Sequence, residues 1–442
     1  MKRLFAGAMA CILAVTMAGG LAACGAPERN ENTLVVWVSD PLKADWESLL
    51  ALPGGENNSM AQYTKKVVET FEAEHEGVEV RLESRGWMDA LNSQVLSAAK
   101  SNTLPDLMMG EMYMPIYMER GLLKPLDLGE HSDVLAEGLV ESVRKDGKLY
   151  GAPFSTGVFA LQYNPTVLAD AGIAEEDWIP ETWDELLENS RKVAEHYTVN
   201  GTVTTGGFLI NNVAGISGAF RALPFVRQAG GDYLNAQGEP DFASDAAKQA
   251  YAFLSDLAKT TVTGALDITD ESQLHTLFIE DAAAYQIEGP WTLAEADDTF
   301  GAASLPTPTA DTAGNANTFV GNLIMAKTRD CVNDELADAF VQHLLSPEMQ
   351  WEMFKADVRL PTNRNVLTDR RADMVAERPY FEVYIDIMLE GGFSGGLPSF
   401  SNNSSRIWET WGSFYRNVLT STDVNAIGPL ADSFNETIKG LV

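Results

Sequence analysis

Between residues 34 and 109 the chain alternates short apolar runs with amphipathic helical stretches, and few architectures satisfy that alternation. Leu34-Val35-Val36-Trp37-Val38 is a continuous apolar run with β-branched residues, the pattern of a strand buried on both faces. From Tyr63 to Glu76, Val67, Val68 and Phe71 recur at helical spacing, and Gly77 offers a C-cap. Val78 to Leu82 alternates as a second strand, Ala90 to Ser101 is helical, and Leu104 to Met109 reads as a third strand. Strands separated by helices lie parallel and need crossover connections. The expectation is an α/β fold whose ligands sit at the carboxyl ends of the strands. Ser39, Asp40, Trp87 and the 111–113 segment then lie near any site in this part of the chain.

Further helices are marked by their caps. Thr182 with Glu185 three residues later forms a capping box, followed by the stripe Trp183, Leu186, Leu187, Val193, Ala194 and Tyr197. Ser244 caps a helix with Ala247, Ala250, Tyr251, Leu254 and Leu257 inward, and Ser346-Pro347 opens another. Segments 200–218 and 391–405 are rich in Gly, Asn, Ser and Thr and read as loops. At 442 residues the chain exceeds what one core normally holds, so two domains are expected.

The first residues describe an address. Lys2 and Arg3 precede an apolar stretch from Leu4 to Thr16, and Leu21-Ala22-Ala23-Cys24 closes it. A basic start, a short apolar run and small residues before the cut make a secretory signal peptide, too short to span a bilayer comfortably. The segment resembles a bacterial lipobox. That resemblance implies removal of residues 1–23, acylation of Cys24, and residues 24–33 as a tether on the outer face of the cell membrane. The alternative is an ordinary signal with a chance cysteine at the cut. Cys11 leaves with the signal, so Cys331 is left without an intramolecular partner and reads as an incidental thiol. A net charge of −32 repels phosphate backbones and anionic lipid, which excludes nucleic acid as a natural partner.

Chemistry-bearing motifs are sparse. The histidines at 75, 131, 196, 275 and 343 are scattered without metal-ligand spacing. There is no phosphate-cradling glycine loop with its lysine, and no Gly-x-Ser-x-Gly elbow. Aromatic supply is the richer signal, with nine tryptophans. Trp37, Trp183 and Trp351 fall on strand or helix stripes and read as core. Trp291 follows Gly289-Pro290 at the end of the strand-like run 282–287. A large aromatic on a turn at a strand end is a candidate ligand platform.

The order of motifs along the chain resembles the extracellular solute-binding proteins of ATP-driven sugar importers, the maltose-binding-protein-like family in its lipoprotein form. The matching pieces are Phe71-Glu72-Ala73-Glu74-His75, Leu104-Pro105-Asp106-Leu107, and the run from Glu119 to Leu126. Gly147-Lys148-Leu149-Tyr150-Gly151-Ala152-Pro153, Leu161-Gln162-Tyr163-Asn164 and Thr182-Trp183-Asp184-Glu185-Leu186 follow. Ala282-Ala283-Ala284 with Gly289-Pro290-Trp291, and Leu360-Pro361-Thr362-Asn363, complete the series. The resemblance implies two α/β lobes, each a mostly parallel sheet flanked by helices, with the ligand cleft between them. The first lobe would take 33–160 and 320–355, and the second 161–319 and 356–442.

The resemblance also implies a site. Trp291 matches the tryptophan that stacks on sugar. Asp40, Glu111 and Tyr113 match polar or aromatic positions after strands one and three. Asn322, beside Gly321, stands where relatives often have a second glycine. A late aromatic corresponds to Trp408 or Trp411, with Trp411 preferred. Arg359 either reaches the cleft or pairs with a carboxylate, and Trp87 is divided between core and cleft. The implied function is non-catalytic capture of an oligosaccharide for an ABC permease by a monomer without cofactor or metal. Two alternatives stay open: the same fold holding a polyamine, phosphate ester or metal chelate, and a surface glycan hydrolase. The hydrolase would need two carboxylates about 5–9.5 Å apart across the cleft.

Overall fold

The strand Thr33–Val38 is buried at every position, as a run apolar on both faces requires. The computed structural model in which it lies describes residues 30–442 except 112, 214–215, 294–295, 297–298, 312–317, 391–392 and 396–403. The signal peptide, Cys24 and most of the 391–405 loop are outside the described residues.

Thr33–Val38 pairs in parallel with Glu79–Ser84, from Thr33 opposite Glu79 to Val38 opposite Ser84, and with Leu107–Gly110 on its other side. The crossovers are the helices Ser59–Glu74 and Met88–Ser101. Asn58 caps the first by accepting a hydrogen bond from the Ala61 amide. That helix buries Tyr63, Val67, Val68 and Phe71 and ends a turn before Gly77, whose φ of 83° turns the chain into the next strand. Thr318–Lys327 runs antiparallel to Leu107–Gly110 and to Ala152–Val158, and parallel to Phe393–Gly395, which completes a mixed six-stranded sheet.

A second, four-stranded sheet is ordered Gly206–Phe208, Ala283–Glu288, Ala160–Tyr163, Gly301–Ala303. Its first pairing is parallel and the others antiparallel, so both sheets are mixed. Against this sheet packs the helix Trp183–His196, whose capping box is formed in full by Thr182 and Glu185. The indole of Trp183 is buried and donates to Gln228 Oε1 at 3.0 Å and to the Pro306 carbonyl at 3.1 Å, confirming its core role.

Only Phe159 separates Ala152–Val158 in the first sheet from Ala160–Tyr163 in the second. Its amide donates to the Phe319 carbonyl at 3.1 Å, tying this crossing to the strand that returns to the first sheet. A third passage is pinned where Thr156 and Leu360 exchange backbone hydrogen bonds. Among the described residues no helix is long and apolar enough to cross a membrane.

Candidate functional site

The crossing strands carry two glycines in register. Gly157 on Ala152–Val158 lies directly opposite Gly321 on Thr318–Lys327. Residues opposed in an antiparallel pair direct their side chains to one face. Here that face has no side chain, and two functional groups sit in the space. A Cβ on Gly157 would come within 2.0 Å of Trp291 Cζ3, and one on Gly321 within 3.0 Å of Glu111 Oε1. The ribbon therefore brings together a tryptophan that follows the second sheet and a carboxyl that follows the first.

Trp291 lies in the turn Pro290–Leu293, just beyond the strand Ala283–Glu288. The turn is held because Gln162 Nε2 donates to the Gly289 carbonyl at 2.8 Å and Thr292 Oγ1 donates to it at 3.0 Å. The indole is half-buried. Its ring also occupies the space a Gly289 side chain would need, and the ring of Phe159 meets it edge-on at 5.8 Å. The Arg359 guanidinium stands 5.6 Å from the indole centroid, within cation–π range. Arg359 is also paired with Asp357, the carboxylate reading of this arginine. Between them Val358 has a φ of 50°, an uncommon left-handed conformation for a β-branched residue. It closes the helix Pro347–Asp357 and turns Arg359 toward the indole.

Glu111 is half-buried beyond the carboxyl end of Leu107–Gly110, where the sheet rule places a ligand group. Burial pushes its carboxyl up to about 7, with Glu271 adding to the rise while Arg359 and Arg221 oppose it. Asp40 is exposed, pairs with Lys43 at 2.5 Å, and faces Asp357 electrostatically. Tyr113 is buried and meets the Trp408 ring at 4.8 Å, edge to face. Trp87 is half-buried against the core of the first sheet, immediately before the helix Met88–Ser101.

Two expectations are corrected. Trp411 is fully buried among Tyr233, at 4.3 Å, and Phe242, at 5.1 Å, so its ring is core and offers no face to a ligand. The late aromatic that meets Tyr113 is Trp408. Asn322 is also committed internally: Thr156 Oγ1 donates to its Oδ1 at 2.8 Å, and its Nδ2 donates to the Leu139 carbonyl at 3.2 Å. Its amide braces the crossing strands.

One constellation was not anticipated. Arg221 is buried, donates from Nε to Glu288 Oε1 at 2.9 Å, and pairs with Glu271 at 3.2 Å. Its guanidinium lies 4.9 Å from the Phe220 ring centroid and 5.3 Å from that of Phe159, the same ring that meets Trp291. Glu288 ends the strand and directly precedes Gly289-Pro290-Trp291. The sequence signal was present: an arginine in the apolar run Ala219-Phe220-Arg221-Ala222-Leu223 needs a buried partner.

Residues 66–382 match the family model described as bacterial extracellular solute-binding protein. The diacetylchitobiose binding protein DasA of Streptomyces coelicolor is 26% identical over 393 residues, covering 83% of this chain and 85% of that protein. A lactose-binding protein of Rhizobium radiobacter is 28% identical over 159 residues, 35% of each chain. Among solved structures, the GacH receptor of Streptomyces glaucescens superposes with a TM-score of 0.71 at 20% identity, covering 93% of this chain and 99% of that one. The sugar-binding protein MalE of Xanthomonas citri gives 0.71 at 16% identity, with coverage of 92% and 97%. Matched by the family model over most of its length and folded in the same two-lobed architecture, the chain belongs to the bacterial extracellular solute-binding proteins.

Proposed function

We propose that this protein is a lipid-anchored receptor that captures an oligosaccharide outside the cytoplasm and delivers it, chemically unchanged, to an ABC permease. The observation that carries the reading is Trp291, half-buried at a strand end and seated against the Gly157–Gly321 ribbon between the two sheets. An indole face matches the C–H face of a sugar ring, and Glu111 beside it can exchange hydrogen bonds with hydroxyls. Relatives named for diacetylchitobiose, arabinooligosaccharide and lactose support the ligand class.

The lobes would comprise 33–160 with 320–355, and 161–319 with 356–442, closing as a hinge on a ligand that touches both. Cys24 would carry the lipid, holding a monomeric body on the outer membrane face. Capture rather than hydrolysis is supported by the commitment of three of the nearby carboxylates, since a hydrolase would need a pair. Glu271 and Glu288 are engaged by Arg221, and Asp357 by Arg359.

The test is calorimetry on a soluble form beginning at Gly25, titrated with diacetylchitobiose, arabinotriose, lactose and maltotriose. Binding at about micromolar Kd, with the sugar recovered intact, is expected. Turnover would indicate a hydrolase. Silence toward sugars with binding of spermidine would indicate a polyamine receptor.

A further inference from the structure

The charges around the platform do not balance. Arg221 and Arg359 face Glu111, and each is already paired: Arg221 with Glu271 and Glu288, Arg359 with Asp357. Four carboxyls thus share two guanidiniums. Glu271, Glu288 and Asp357 hold their arginines directly. The Glu111 carboxyl makes no hydrogen bond or ion pair among the described residues, and its Oε1 lies 3.0 Å from where a Cβ on Gly321 would stand. The Tyr415 hydroxyl also faces Arg221, and Asp40 faces Asp357, and neither supplies a compensating positive charge. Lys43, which also faces Asp357, is held by Asp40 at 2.5 Å.

We propose that sugar capture is coupled to uptake of a proton by Glu111, which then serves the bound sugar as a neutral acid donating its O–H to a ring or hydroxyl oxygen. The inference rests on the sugar reading above and adds its regulation. A ligand settling on Trp291 displaces the water that still reaches Glu111. It brings no cation, so ionised Glu111 would be left beside Glu271 with only Arg359 and Arg221, both already paired. Protonation removes that cost and creates the one type of group a carboxylate cannot be, a donor. Burial already lifts the carboxyl to about 7 before any ligand enters, so the change falls within ordinary pH.

The sign follows from linkage. The carboxyl holds its proton more tightly in the complex than in the free protein, so affinity is greatest at low pH. It falls as pH rises through about 7, by at most about tenfold per pH unit. The experiment is calorimetry of the soluble protein with diacetylchitobiose and maltotriose, at several values between about pH 6 and about pH 8.5, in buffers of differing ionisation enthalpy. Wild type is expected to take up a fraction of a proton that grows with pH. Glu111→Gln, fixed in the neutral form, is expected to bind at least about fivefold more tightly than wild type at the alkaline end, with a flat pH profile. Glu111→Ala is expected to lose affinity throughout. Sugar binding by wild type without proton exchange, or a pH dependence that persists in Glu111→Gln, overturns the coupling and leaves the sugar reading standing. Absence of sugar binding at every pH overturns both.

Discussion

Gly157 and Gly321 lie opposite one another on the strands that cross between the sheets, and the side chains they lack leave room for the Trp291 ring and the Glu111 carboxyl. Two residues 180 positions apart in the sequence are thereby set side by side on one strip of backbone. Each belongs to a different sheet's carboxyl edge, so a ligand touching both would register whether the lobes are closed.

Removing the platform should remove the binding. Trp291→Ala is expected to cost about 2 kcal/mol of sugar affinity, near thirtyfold, when measured by calorimetry. Because the indole is half-buried and packs on Phe159, a modest loss of stability should accompany it.

Filling the seat should act on the same site from the other side. In Gly157→Ala the new Cβ would need the space of Trp291 Cζ3, 2.0 Å away, so the ring must pivot off the ribbon. Overpacking of this kind costs about 1–3 kcal/mol of stability. Sugar affinity should fall by about tenfold or more. An unchanged calorimetric Kd would show that the contact between this glycine and the indole does not shape the site.

Much of the first sheet was legible because hydrophobic period and helix caps are local signals. Strand and helix positions from Leu34 to Met109 could be read to within a few residues. The place of Trp291, on a turn just after a strand, was legible too, from Gly289-Pro290. The pairing of Gly157 with Gly321 was not, since register between distant strands is settled by tertiary contacts that no single segment encodes. Trp411 was misplaced for a readable reason. Ile407, Trp411, Phe414 and Val418 recur at helical spacing, the mark of a core stripe on Ser404–Leu419. Asn322 was read as a ligand residue because it stands where relatives often have a second glycine. Its actual partners, Thr156 and Leu139, lie far away in sequence.

The buried ion cluster should matter for folding. Arg221→Met leaves Glu288, 2% exposed, without its counter-charge. Stranding a buried charge costs about 3–5 kcal/mol. Chemical denaturation should register that loss, and adding Glu288→Gln should recover a large part of it. A double variant no more stable than the single one would mean that the charge of Glu288 is not the source of the cost.

Cys331 should be inert in the native protein. Burial first, then Asp106 and Asp334, pushes its thiol up to about 12, which leaves almost no thiolate at neutral pH. In the soluble form beginning at Gly25 it is the single cysteine. A thiol reagent should therefore label the protein only at the rate of unfolding, and rapid labelling under native conditions would place Cys331 at an open surface.

The most direct measurement is a crystal structure of the soluble protein with the sugar that calorimetry selects. The account predicts a pyranose ring lying on the Trp291 indole above the Gly157–Gly321 ribbon, with Glu111 within hydrogen-bond distance of a sugar oxygen. A sugar bound elsewhere, with Trp291 still bare, would contradict it.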